Sequence, residues 1–190
     1  MPATFPGYVP PSNVVIDAGV LYLTTDGLPL ASNGSNKAPF GASVGGFTFD
    51  PGFTTRAVEY DGKHTRMQGL DRITEWASVL KGKLVEITAP NMLRYNPGAS
   101  SDGSSGTNTL TMKAAGVLFQ ATDYLKHLYL IGRQQVDGQL VRVHFPLALC
   151  VKYQIVTQHN NEWQVDAQFD AVLPAGSDPQ ACPFVYEFLS

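Results

Sequence analysis

Residues Gly41, Ala42, Ser43, Val44 and Gly45 spell G-x-S-x-G, the pattern of a nucleophile elbow. That elbow works only where a strand precedes the serine and a helix follows it, because the sharp turn lifts the hydroxyl beside an oxyanion hole. Here the preceding residues, Asn33, Gly34, Ser35, Asn36, Lys37, Ala38 and Pro39, read as a loop, and Gly46, Phe47, Thr48 and Phe49 read as a strand. A short pattern built from common residues, in the wrong setting, predicts no catalytic serine. The four histidines, His64, His127, His144 and His159, are scattered, with no i, i+4 pair and no carboxylate at ligand spacing. A metal site needs three or four converging ligands, so none is expected. Glu59 and Asp61 share one face of an expected strand, yet they flank a hairpin tip rather than a cleft, and solvated charge is the better reading. Neither a G-x-x-x-x-G-K-[ST] nor a strand-borne G-x-G-x-x-G occurs, so no phosphate loop and no nucleotide cofactor is expected.

Charge excludes a further class. The 190 residues carry 13 Lys plus Arg against 16 Asp plus Glu, a formal net charge of −3, with no dense basic run. Tight phosphate binding needs clustered cations that release counterions. The aromatics Tyr8, Phe40, Phe47, Phe49, Phe53 and Tyr60 crowd the first third, but only Lys37, Arg56 and Lys63 lie among them. A stacking platform for single-stranded nucleic acid interleaves the two types; core packing or a subunit contact fits better. Only 15% of residues are charged, against about a quarter in an ordinary soluble domain, which points to surface covered by something other than water. Cys150 and Cys182 form no ligand or redox spacing, and reduced thiols are expected. No apolar run approaches the roughly 20 residues that span a bilayer, so membrane insertion is not expected.

The elements that must carry these residues are strands. Apolar and polar positions alternate most cleanly over 163–172, where Trp163, Val165, Ala167 and Phe169 point one way and Gln164, Asp166, Gln168 and Asp170 the other. Similar runs cover 14–24, 46–50, 56–60, 84–88, 128–131, 140–145, 152–157 and 184–189, and Asp61-Gly62 and Asp137-Gly138 read as hairpin tips. A short helix is expected after Pro90, over 91–95, stopped by Asn96-Pro97-Gly98; a second helix, over 112–125, is weakened by Gly116. The fold class is therefore mainly β, an antiparallel β-sandwich with a flanking short helix. Residues 1–13, with four prolines, predict an extended arm, and 14–190 one domain with long loops at 27–43 and 97–109.

Read in order, Gly45-Gly46-Phe47-Thr48-Phe49-Asp50-Pro51-Gly52, Val58-Glu59-Tyr60-Asp61-Gly62-Lys63 and Gly69-Leu70-Asp71-Arg72 resemble the corresponding part of the major tail proteins of long-tailed phages. The likeness continues through Leu80 to Thr88 and a short helix, Leu128 to Gly132, Asp137-Gly138, Phe145-Pro146-Leu147-Ala148, 163–172 and Pro183-Phe184; residues 98–125 fall outside it. The resemblance implies a tail tube subunit, made in the host cytoplasm and built into the virion tail. Such subunits form six-membered rings that stack into a hollow tube. Each contributes strands to a continuous inner barrel through which DNA passes without specific binding. Implied partners are copies of itself and other tail proteins, with no cofactor and no catalysis. Phe47, Phe49, Phe53, Tyr60, Asp61 and Gly62 become candidate inter-subunit contacts, and Gln164, Asp166, Gln168 and Asp170 a polar face toward lumen or exterior. The rival expectations are a surface β-sandwich module recognising carbohydrate or a receptor and, more remotely, a hydrolase using Ser43.

Overall fold

A computed structural model describes residues 19–25, 28–30, 36–57, 71–103, 109–133, 139–157 and 163–189. The expected N-terminal arm, Tyr60, Asp61-Gly62, Asp137-Gly138, Glu59, His64 and His159 lie outside the described residues. The chain is mainly β and antiparallel, with one short helix. Its strands are β1 (Val20–Thr24), β2 (Lys37–Pro39), β3 (Ser43–Asp50), β4 (Phe53–Ala57), β5 (Asp71–Trp76), β6 (Val79–Leu84), β7 (Ser100–Ser101), β8 (Leu110–Thr111), β9 (Leu125–Arg133), β10 (Leu140–Val156), β11 (Gln164–Ala171) and β12 (Val185–Leu189). Eight of them form one sheet in the order β2-β1-β9-β10-β11-β6-β3, with β12 beside β10.

The 17-residue β10 organises the molecule. From Leu140 to Ala148 it pairs with β9, from Leu140 to His144 with β12, and from Ala148 to Val156 with β11. The sequence reading of two separate strands, 140–145 and 152–157, is thus corrected to one continuous strand. Pro146 does not break it because the ladder is already interrupted there. Phe145 pairs with Leu128 and Leu147 with Lys126, while His127, facing the proline, adopts a left-handed φ of 52°. No N–H is demanded of the proline, and both strands change phase together: Val143 and Phe145 are buried before the step, Ala148 and Cys150 after it.

One apolar cluster joins the two parts of the sheet. Leu21 and Phe40 from the β1 side pack with Leu80, Leu84, Val165 and Phe169 from the β6–β11 side. Phe40 meets Phe169 edge-on at 5.4 Å between ring centroids. Helix α1 (Ala89–Tyr95) adds Tyr95, buried against Phe40 and stacked on Tyr153. Its start follows from the residues: the Thr88 hydroxyl accepts the Asn91 N–H, and Pro90 sits in the first turn, where its missing N–H costs nothing. This diverts the chain after Leu84, so the strand expected over 84–88 ends where that reading began it. Asn96 ends the helix, and Gly98 turns with a φ of 75°.

Three further expectations change. The 27–43 loop contains β2, whose three residues pair with Tyr22, Leu23 and Thr24. The 97–109 loop is bounded by a small ladder, Ser100 and Ser101 against Thr111 and Leu110. Residues 112–125 form no helix beyond a single 3-10 turn at Ala121–Asp123. Gly116, at a φ of 85°, reverses the chain, and Val117, Leu118 and Phe119 stay exposed with no packed face to reward helix formation.

Candidate assembly surface

The serine pattern is not an elbow. Ser43 opens edge strand β3, facing Leu84 across the ladder, and a strand follows it. Among the described residues no group of three or more His, Cys, Asp or Glu is placed to hold a metal ion, and no helix is long and apolar enough to cross a membrane. Cys150 and Cys182 are both free; burial pushes the Cys150 thiol up to about 12.

Instead, the structure presents unpaired strand edges. Beyond Ala148, β10 has β11 on one side and no strand on the other among the described residues. At the far side of the same four strands, β10-β11-β6-β3, the outer edge of β3 likewise has no strand beside it among the described residues. One face of these strands is the core; the other is polar. Cross-strand partners fix its layout: Thr48 beside Lys81, Lys81 beside Gln168, Gln168 beside Lys152, and Lys83 beside Asp166, which neighbours Gln154. The alternation of Gln164, Asp166, Gln168 and Asp170 against buried Val165, Ala167 and Phe169 is as the sequence indicated. Gln164, Asp166 and Gln168, with Thr48, Gln154 and the lysines, line a shallow groove of about 700 Å³. Lys81, Lys83 and Lys152 share the face with Asp50, Asp166 and Asp170, so cations and anions balance.

No family model matches the chain, and no curated protein does.

The three described aromatics proposed as contacts divide. Phe47 and Phe49 turn toward the core: Phe47 lies flat over Gly82, where an added Cβ would meet its ring at 2.1 Å, and Phe49 packs edge-on against Phe145 and Phe184. Phe53 is outward, 56% exposed, on the ribbon of β4 and β5. Among the described residues that ribbon pairs with no other strand and is exposed at nearly every position on both faces. Its base is pinned: the Ala77 N–H donates to the Gly52 carbonyl at 2.6 Å, the Ser78 hydroxyl to the Pro51 carbonyl at 2.6 Å, and Trp76 packs on Phe184. A two-stranded ribbon with no packed face is marginal in water.

Sequence reasoning missed a cluster on the outer face of β9, β10 and β12. His127 and His144, read as scattered, stack with Nδ1 of one 3.0 Å from Nε2 of the other, the 3.0 Å contact being a hydrogen bond. His144 also stacks on Tyr129 at 4.3 Å and lies 3.9 Å from Glu187, which pairs with Arg142. Folding the two runs about the Asp137-Gly138 tip would have brought these rings within a position or two of each other. Burial, and then the neighbouring His127, push the His144 pKa down from 6.5 to about 4. The folded protein keeps His144 neutral while the unfolded chain takes up a proton below about pH 6.5. The stability this group contributes is therefore full above that pH and is lost as pH falls toward 4, by about 2 kcal/mol after solvent screening. Urea unfolding at pH 7 and pH 4.5 should show the fall, and His144→Phe should flatten it.

Two buried hydroxyls, those of Thr24 and Tyr95, and one Asp166 carboxylate oxygen have no hydrogen-bond partner. Each unmet group of this kind costs roughly 1–3 kcal/mol. Burial raises the Tyr95 pKa, so the hydroxyl is a fully protonated donor at neutral pH.

Proposed function

We propose that this chain is the repeating subunit of a hollow tube, of the kind its resemblance to phage major tail proteins implies, and that it completes its sheets with copies of itself. One observation carries the reading: the four strands β10-β11-β6-β3 are antiparallel throughout and open at both ends. Strand direction alternates along them, so β3 of one copy laid beside β10 of the next continues the alternation without a break. Such a head-to-tail contact generates a ring if its rotation closes, and it removes the exposed edges that otherwise invite indiscriminate pairing. The two parts of the sheet, facing each other across the core, act as a β-sandwich whose polar face lines the bore. Balanced lysines and aspartates there give DNA no cationic stripe to grip. A virion tail location, a hexameric ring and DNA passage belong to this proposal.

Negative-stain microscopy and sedimentation of purified protein over a wide concentration range test it. Rings or tubes that grow with concentration are the expected result. A protein that stays monomeric at high concentration in every buffer, or one that binds a particular glycan selectively, overturns it.

A further inference from the structure

The unpaired edge of β10 borders a groove. Residues 112–119 run along it, and between the two lies a groove of about 790 Å³ lined by Leu149, Val151 and Tyr153 of β10 and by Met112, Val117 and Phe119 opposite. Val117 and Leu118 are exposed, Leu118 by 86%. The segment is held in place: Lys113 pairs with Asp123 at 2.5 Å, the Gln120 N–H donates to the same carboxylate, and Phe119 packs on Tyr124. An anchored wall that turns apolar side chains outward lacks its natural cover. A second, independent sign is Tyr95. It lines the groove and is 1% exposed, yet its hydroxyl has no partner. A buried donor beside an unpaired strand edge fits an occupant that brings backbone carbonyls, namely another strand.

We propose that residues 112–119 form a clasp that closes over the β3 edge of a second copy seated against β10. The inference rests on the tube reading and adds the surface that holds the joint. The segment Ser43 to Phe49 suits the groove: it is uncharged, Val44 is exposed, and Gly45 and Gly46 take φ of 76° and 78° with nothing within 4 Å of an added Cβ. Two glycines at a bulge leave the backbone bare for close approach. The Tyr95 hydroxyl then donates to the arriving strand, and Val117 and Leu118 cover it.

Three variants test the clasp. Val117→Asp combined with Leu118→Asp alters only exposed positions, so the monomer should keep its thermal midpoint while the concentration needed for assembly rises at least tenfold. Tyr95→Phe should leave the monomer at least as stable and raise that concentration several-fold, a change that a purely structural hydroxyl would not produce. Val44→Cys with Val117→Cys, in a Cys182→Ser background, should give disulfide-linked chains on mild oxidation. Wild-type protein that assembles while the double aspartate variant does so at the same concentration overturns the clasp alone, as does an oxidised sample with no linked chains. Wild-type protein that never assembles overturns the tube reading, and the clasp with it.

Discussion

Replacing residues 54–75 with a two-residue Asn-Gly turn will leave a folded monomer that no longer builds tubes. Phe53 and Trp76 are directly paired across the ladder, so their Cα atoms are about 5 Å apart and a tight turn closes the gap. The Gly52–Ala77 and Pro51–Ser78 hydrogen bonds and the Trp76–Phe184 contact all lie at or below the cut. Among the described residues the body loses no core contact, and its unfolding midpoint should move by only a few degrees. Of the residues removed, 54–56 and 71–75 are exposed in the single copy, so their worth lies in what they touch on a neighbour. Assembly read by sedimentation should fall by at least an order of magnitude. Tubes of normal length from the shortened chain would show that the ribbon plays no part in joining copies.

Phe169→Ala will be the most damaging single change to stability. The ring is 1% exposed and packs on Phe40 at 5.4 Å and Tyr95 at 6.5 Å, tying the β6–β11 side, the β1 side and α1 together. Emptying such a site costs about 3–5 kcal/mol, a large share of the roughly 5–15 kcal/mol that holds a domain folded. Urea unfolding should show the midpoint falling sharply with little change in slope. A loss below about 1 kcal/mol would mean that the two sides of the sheet do not share one core.

Where local pattern decides conformation, the sequence was readable. β11 follows from strict alternation over Gln164–Ala171, and α1 from Thr88, Pro90 and the Asn96-Pro97-Gly98 stop. The polar side of β11, named from that alternation, turns out to be one wall of a groove completed by Lys81, Lys83 and Lys152. Most of the misses involve partners distant in the chain. The runs over 140–145 and 152–157 are one strand whose burial phase shifts between them; His127, facing Pro146 from β9, shows why the strand continues. The His127–His144 pair depends on the register of a hairpin, which the Asp137-Gly138 tip fixes only to within a position or two. Phe47 and Phe49, offered as contacts between copies, share the inward side of β3, whereas Phe53 lies past the Pro51-Gly52 turn on the ribbon and faces out. Residues 112–119 carry helix-like apolar spacing, but Met112, Val117, Leu118 and Phe119 stay exposed among the described residues.

Because β10 is a member of both parts of the sheet, neither part can come loose while the other stays intact. A pull on β11, β6 and β3 loads the same backbone that carries β9 and β12. The molecule should yield to force or heat as one unit, with no half-open form, and a wall built from such units would keep its calibre until it ruptures.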